Sequence, residues 1–396
     1  MKVVPILTLE ARIKRRLRRH LKTLGFVKDE QGRLTPPESS KSCIRSMHLA
    51  QKNERIEAES TFIEREWPLL RKYLADGREV TPEAISPRLE LVSADTWQSR
   101  LFRLASLTWS VPVSQGYGRR MRFLVWDDSN EKLIGLMGLG DPVFNLRVRD
   151  EWIGWTVEDR RERLVDVLDA YVLGALPPYN MLLGGKLLAT LIHTRELVNA
   201  FRTRYSKTQG IISGKKKRPE LCMVTTTSAL GKSSVYNRLA LDGRAIFTPV
   251  GYTSGWGHFH IPDDLFALIR EYLDGIGDEY AHNHQFGDGP NWKLRAVRKA
   301  LSVIGMDPNL LQHGIAREVF VCPLARNAKA VLAGAAKRAN FAGLPSLEES
   351  AMAAKERWVI PRAIRRPEFR LWKCDNILRL LQVVDEKEKS QAQVHV

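Results

Sequence analysis

Hydrophobic positions along the chain recur at two periods, and the change of period predicts where helices give way to strands. Near the start, apolar residues return every three or four positions, which predicts one face of an amphipathic helix at Ile13, Leu17, Leu21 and Leu24. Helical spacing returns from Ile44 to Leu74 and again after residue 262. An alanine-rich helix is predicted from Asn327 to Lys355.

The middle of the chain mixes both periods. Short apolar runs predict a strand at Leu89–Val92 and a β-hairpin at Met121–Trp126 and Lys132–Gly138. The segment before Pro177 is predicted to be a helix, so that Tyr171–Ile192 holds two helices around a Pro-Pro bend. A strand in ELCMVTTTS, a short helix in SSVYNRLAL and a strand in RAIFTPVGYTSG follow.

Polar and turn-rich stretches divide this pattern into four predicted segments. They are a basic helical region (1–85), an α/β core of α+β type (86–262), a mostly helical region (263–385) and a disordered tail (386–396). The fold class expected is therefore a mixed sheet flanked by helices, with helical regions on both sides in sequence.

Composition adds a strong positive charge. The chain has 396 residues, and 62 Lys and Arg against 45 Asp and Glu give a net charge of +17, which favours a polyanionic partner such as DNA. Four scattered cysteines exclude a disulfide scaffold and fit a reducing cytoplasm. Pro177–Pro178 interrupts the longest apolar stretch, so no membrane span is expected.

Basic residues cluster in three stretches that are candidates for contact with nucleic acid. The first is the N-terminal helix, the second a basic run after residue 214, and the third a segment where arginines alternate with aromatic residues. The candidate residues are Arg15, Arg16, Arg19, Lys215, Lys216, Lys217, Arg218, Arg362, Arg365 and Arg366. The alternative for each stretch is a solvated surface with no ligand.

Two glycine-containing stretches are candidates for binding phosphate. Gly184, Gly185 and Lys186 stand where a helix is predicted to begin, and a helix N-terminus favours an anion. Close packing after the Pro-Pro bend is the alternative. Gly231-Lys232-Ser233 resembles the end of a P-loop, but Thr226 replaces its first glycine.

Acidic, aromatic and histidine residues supply candidates for chemistry. Asp150 and Glu151 are candidate catalytic acids beside Trp152 and Trp155, whose indoles suit a planar base. His258 and His260 are further catalytic candidates on one side of a strand. With His282, His284 and Asp288 they are also a possible metal site, although no metal is predicted.

The order of elements resembles the GNAT-type acyltransferase fold over about residues 88–261. Leu133–Gly135 is similar to a hairpin strand of that fold, and VTTTSALGKSSVYNRL with VGYTSG is similar to its late strand, helix and hairpin. The resemblance implies a splayed sheet, acyl-CoA at the loop before the central helix, and a catalytic role for Tyr236. Met181 and Leu182 stand where that loop has Gln or Arg, so the cofactor stays open.

Six strings resemble one family, the Druantia anti-phage defence protein A family. They are RDEWIGW, PPYNMLLGGKLLA, VTTTSALGKSSVYNRL, GYTSGWGHFHIPDD, DGPNWKLRAVRKAL and HGIAREVFVCPLA. The resemblance implies a bacterial defence protein that works beside other subunits, including a large helicase-like protein. Relatives near transposases leave a mobile-element role open.

Three functions follow from these observations. The first is a DNA-binding defence component whose core modifies or recognises a base, with the loop after the hairpin and the His258–His260 pair converging near Tyr236. The second is a non-catalytic adaptor that recruits helicase or effector subunits. The third is a metal-dependent nuclease or a transposition factor.

Overall fold

The computed structural model describes residues 7–28, 30, 34–35, 40–113, 118–205, 219–241, 243–255, 259–282, 291–312 and 314–384. These residues form two compact units. Unit 1 holds the described parts of Met1–Arg55 and Ser254–Ala316, and unit 2 holds those of Ile56–Thr253 and Arg317–Asp385. Each unit combines segments that are distant in sequence. The consecutive boundaries expected from the sequence stay a prediction.

Helices are the most frequent elements of the described chain. In chain order they are α1 (Leu9–Thr23), α2 (Lys41–Ala58), α3 (Ser60–Leu70), α4 (Trp97–Ser106), α5 (Arg147–Ile153), α6 (Val157–Arg163), α7 (Gly184–Leu191), α8 (Arg195–Tyr205), α9 (Asp263–Gly275), α10 (Asn291–Val303), α11 (Ala328–Leu332), α12 (Leu347–Ala354), α13 (Ile360–Arg365) and α14 (Ile377–Leu380). None of those described is long and apolar enough to cross a membrane.

The strands are short except at the centre of the main sheet. They are β1 (Val27–Lys28), β2 (Leu34–Thr35), β3 (Pro87–Leu91), β4 (Arg120–Asp127), β5 (Lys132–Gly140), β6 (Val167–Ala175), β7 (Met223–Thr227), β8 (Ala240–Leu241), β9 (Arg244–Ala245), β10 (Thr248–Tyr252) and β11 (Glu318–Pro323). The predicted strands before residue 140 and the predicted hairpin are confirmed.

Unit 1 is helical, and its first helix forms as the sequence predicts. Thr8 begins α1 by accepting a hydrogen bond from the backbone N–H of Ala11 at 3.2 Å. The apolar face is fully buried at Ile13, Leu17 and Leu21. Within unit 1, α1 packs against α9, and α9 packs against α10.

Unit 2 is built on a seven-stranded mixed sheet in the order β10-β11-β7-β6-β5-β4-β3. All neighbouring strands pair antiparallel except β6 and β7, which pair parallel. Side chains of β4 alternate between the two faces. Met121, Phe123 and Val125 join the core beneath α7, α8 and α12, while Leu124 and Trp126 join the core beneath α3 and α4. Both faces of the sheet are therefore covered.

Three sequence-based helix predictions are wrong. The segment before Pro177 is the strand β6, because a central strand buried on both faces carries a continuous apolar run that mimics a helix. The predicted helix in SSVYNRLAL is a series of turns, because the Ser233 hydroxyl accepts the N–H groups of Val235 and Tyr236. The predicted helix at 327–355 is interrupted between α11 and α12 by Gly334 and Gly343, both at positive φ.

Candidate functional site where two central strands separate

The parallel strands β6 and β7 pair over only three residues and then part. Val167, Leu168 and Asp169 pair with Met223–Thr225, whereas β6 continues to Ala175 along its other neighbour, β5. Just past the last pair, the Thr226 hydroxyl donates to the carbonyl of Ala170 at 3.0 Å. Beyond this bond, none of the described strands pairs with the β7-facing edge of β6, so the centre of the sheet opens there.

Asp169 is the acidic group at this opening. Its Oδ1 accepts a hydrogen bond from the Thr225 hydroxyl at 2.7 Å. Burial raises the pKa of Asp169 to about 6, although the Thr225 bond and the charges of Arg149 and Arg120 act to lower it. A carboxyl with this pKa exchanges a proton near neutral pH, which suits general acid–base chemistry or recognition of a base edge.

Tyr236 lies close to the same acid. Burial, helped by the charge of Asp169, raises the pKa of its phenol to about 12, although a hydrogen bond with Thr226 acts to lower it. The ring is held between Phe247 and Phe320, at centroid distances of 5.0 and 5.3 Å. The phenol is therefore a neutral hydrogen-bonding group beside Asp169. Of the predicted catalytic residues that the structure describes in unit 2, Tyr236 is the one that lies at the opening.

The predicted phosphate loop lies at the far end of β6. Leu183 has a left-handed backbone conformation (φ 58°) and immediately precedes α7. A Cβ on Gly184 would lie 2.6 Å from the carbonyl oxygen of Tyr179 and 2.9 Å from the Cβ of Ala175, whereas the nearest atom to a Cβ on Gly185 is 3.9 Å away. Gly184 therefore serves close packing, whereas a side chain at Gly185 would make only an ordinary van der Waals contact. Burial lowers the pKa of Lys186, which follows them.

The carboxylates of the two predicted catalytic acids after the hairpin, Asp150 and Glu151, lie beside arginine side chains. Asp150 is buried, with Arg149 Nε 2.8 Å from Oδ1 and Arg160 Nη1 2.9 Å from Oδ2. Glu151 is exposed, and its carboxylate lies 3.9 Å from Arg147. These contacts hold α5 in place and leave Asp150 no unpaired oxygen.

The two predicted tryptophans differ in exposure. Trp155 is buried, and its indole N–H donates to the carbonyl of Leu332 at 2.6 Å. Trp152 is half-buried, with Lys329 Nζ 5.3 Å from its ring centroid. Trp155 thus acts in packing, while Trp152 keeps an accessible edge.

The predicted catalytic residue His260 belongs to unit 1, whereas Tyr236 belongs to unit 2. His260 contacts the carboxylate of Glu54 through Nε2, and its carbonyl lies 2.7 Å from His20 Nε2. His258, His284 and Asp288 lie outside the described residues. The exposed His282 is 3.0 Å from Asp274. Within the described ranges, no group of three or more His, Cys, Asp or Glu side chains is arranged to hold a metal ion.

The three predicted basic stretches differ in their exposure and in their partners. Arg15 and Arg19 are exposed on α1, whereas Arg16 pairs with Asp264. The run Lys215, Lys216, Lys217 and Arg218 lies outside the described residues. In the third stretch, Arg365 and Arg366 are exposed, Arg366 pairs with Glu368 at 3.1 Å, and Arg362 Nε donates to the carbonyl of Met181 at 3.2 Å.

The segment that resembles a P-loop folds differently. No helix follows Ser233; its backbone N–H donates to the buried carboxylate of Glu318 at 3.1 Å, and the Asn237 amide donates to the same oxygen at 2.8 Å. A P-loop needs those backbone N–H groups for a nucleotide phosphate. The P-loop interpretation of Lys232 and Ser233 is therefore wrong.

Asp169 is the residue of this site that the sequence patterns missed. It lies in the segment assigned to a helix, so its position at a strand separation was hidden. A single acid inside an apolar run was the available indication, because burying a carboxyl is costly unless it has partners or a function.

The architecture defines an α/β protein whose mixed sheet opens between its one parallel pair of strands among those described. Comparison with known proteins gives the family. The family profile described as Druantia protein DruA matches residues 38–334. A protein of that name from Escherichia coli (strain UMEA 4076-1) is 52% identical over 375 residues, which cover 95% of this chain and 93% of the relative. No solved structure matches.

The chain belongs to the Druantia protein DruA family.

Proposed function

We propose that this chain is a component of a Druantia anti-phage defence system that contacts DNA through the exposed face of α1. Membership of the family supports the role in the system, since a relative that covers nearly the whole chain is named as a Druantia protein. Other proteins of the system, including a helicase-like subunit, are the proposed partners. The arrangement of positive charges on α1 supports the proposed DNA contact.

Four cations form a stripe on α1, on the side away from its buried face. Arg12, Arg15, Arg19 and Lys22 follow one another at spacings of three and four residues, so they share a face about 15 Å long. All four are exposed, and none has an acidic partner among the described residues. Their neighbours Lys14 and Arg16 do pair with acids, Glu10 and Asp264. An exposed row of uncompensated charge fits a phosphate backbone.

Salt-dependent DNA binding tests this contact. Replacing the four stripe residues with alanine should reduce the slope of log Kd against log salt by about 3.6, since each phosphate contact contributes about 0.9. Fluorescence anisotropy with a double-stranded oligonucleotide measures the slope. The matched control removes the same charge from four arginines that already pair with acids, namely Arg71, Arg88, Arg103 and Arg195. Equal slopes for the two variants would refute the contact.

We also propose that the sheet of unit 2 has the GNAT arrangement and that its opening recognises a nucleobase. Two observations support this: the central parallel pair separates after three residues, and a loop feeds the helix α7 beside it. In this proposal Asp169 and Tyr236 supply the hydrogen-bonding groups. Acyl-CoA along the same opening stays a second ligand candidate, and mass spectrometry of the purified protein tests for it.

A non-catalytic adaptor is the second candidate function. It is favoured by Asp150, whose carboxylate oxygens are both bound by arginines. Asp169→Asn separates the two proposals, because the amide keeps the acceptor but not the exchangeable proton. Loss of phage protection by a folded variant supports recognition by Asp169 at the opening, whereas full protection supports the adaptor.

A further inference from the structure

Three cations from separate stretches of unit 2 lie together beside the start of α7. Lys186 belongs to the first turn of α7, Arg238 to the turns before β8, and Arg357 to the wide turn Lys355–Val359 between α12 and α13. None of the three forms an ion pair with an acid in the described part of the chain. We call them the α7 cation cluster.

The indole of Trp358 fixes two members of the cluster. Lys186 Nζ lies 5.2 Å from the ring centroid, and the guanidinium carbon of Arg357 lies 5.7 Å from it. Trp358 is buried, so its ring is a rigid platform for both. A Cβ on Gly185 would lie 3.9 Å from Val235 Cγ2, which places the turn that carries Arg238 beside the same helix start. The positive charges of Arg357 and Arg238 lower the pKa of Lys186 beyond the effect of burial.

The wide turn that presents Arg357 has a cause in the sequence. The N–H of Ile360 bonds to the carbonyl of Lys355, five residues back, which is π-helical geometry. Pro361 follows and has no N–H, so the regular helical bond at the next position cannot form. Turns of this kind are frequent at functional sites. The turn brings Trp358 into the core while Arg357 stays exposed.

We propose that Lys186, Arg238 and Arg357 form a binding site for a phosphate group. Like charges held together repel one another, and an anion among them removes that repulsion. Phosphate offers several acceptor oxygens to such a cluster, and the positive end of the α7 dipole favours the same anion. The phosphate comes from a nucleic-acid strand or from a nucleotide-like cofactor. The site goes beyond the proposed DNA contact, since its three residues belong to unit 2 and α1 belongs to unit 1.

Calorimetric titration of the full chain with inorganic pyrophosphate tests the site. Lys186→Met keeps the aliphatic stem on Trp358 and removes the charge, so it should weaken binding about tenfold or more, as should Arg357→Gln. Lys186→Arg should retain affinity within about threefold, which separates loss of charge from misfolding. Arg379→Gln is the control, because α14 packs in the core on the opposite face of the sheet. No binding by the wild type, or equal binding by all variants, overturns the site.

Competition identifies the source of the phosphate. Displacement of pyrophosphate by a short single-stranded oligonucleotide indicates a strand, and displacement by ADP alone indicates a nucleotide-like cofactor. Displacement by neither overturns the proposal. The variant that lacks the four stripe residues of α1 should bind pyrophosphate as the wild type does. Failure of the α1 contact and failure of the α7 cation cluster are therefore separate results.

Discussion

Replacing Asp169 with asparagine should stabilise the folded chain above pH 6, although the residue lies in the middle of the sheet. Burial raises the pKa of the Asp169 carboxyl from 3.8 to about 6. Ionising the carboxyl therefore costs more in the folded state than in the unfolded state. Asparagine is neutral at every pH and keeps an acceptor for the Thr225 hydroxyl.

The free-energy cost of ionising Asp169 in the folded state increases with pH. Below pH 3.8 the carboxyl is protonated in both states, so the cost is absent. It grows between pH 3.8 and about 6, where the folded state binds more protons than the unfolded state, and is constant above. A shift of about two units corresponds to about 3 kcal/mol at pH 7.5, and the same pKa values leave about 1 kcal/mol at pH 4.5.

Urea unfolding at pH 4.5 and pH 7.5 measures this difference. The free energy of unfolding of the Asp169→Asn variant, relative to wild type, should rise by about 2 kcal/mol between the two pH values. Asp128→Asn is the matched control, since this exposed carboxyl forms a surface pair with Arg88 that contributes less than about 1 kcal/mol. A pH-independent difference for Asp169→Asn would show that burial of the carboxyl does not shift its pKa, and the reasoning would then be wrong.

Three further predictions concern stability and can be measured together by calorimetric unfolding. Leu17→Ala should destabilise unit 1 by about 2–5 kcal/mol, since the side chain is fully buried; a loss below about 1 kcal/mol would contradict the packing of α1. Gly184→Ala should destabilise unit 2 while Gly185→Ala is tolerated, because only the first Cβ meets backbone, at 2.6 Å from the Tyr179 oxygen; equal effects would refute this. Trp155→Phe should cost at least about 1 kcal/mol, for the lost hydrogen bond to a buried carbonyl.

The pattern of apolar and polar residues correctly predicted α1 and the β4–β5 hairpin. On α1 the buried side chains and the exposed arginines occupy opposite faces, so the period of 3.6 residues is visible in the sequence. The hairpin of β4 and β5 was visible because the polar turn Asp127–Asn130 separates two apolar runs. In both cases the information lies within a few residues of the element.

The strand β6 was not predictable in this way, because its environment is apolar on both faces. Leu168, Val172 and Leu176 recur every four residues and imitate a helix. Only pairing with β5 and β7, which are distant in sequence, settles the conformation. Asp169 was missed for the same reason.

Contacts between distant residues also decided the candidate site. The sequence shows Asp150 beside arginines, but not that two of them occupy both carboxylate oxygens. It shows His260, but not Glu54, the acid that holds it. The α7 cation cluster is formed by three segments that are distant in sequence, one of them a π-helical turn. No local sequence pattern predicts that these segments lie together.

The strands β10 and β11 are neighbours in the sheet, yet residues 254–316 of unit 1 lie between them in the chain. The N–H of Thr253 donates to the carbonyl of Arg317 at 2.9 Å, so the chain leaves and re-enters the sheet through adjacent residues. In unit 2, this segment therefore has the position of the loop that connects the two strands of a hairpin. We therefore expect insertions and deletions in this segment to leave the register and the ends of the two strands unchanged, so that unit 1 could change in size without altering the sheet or its opening.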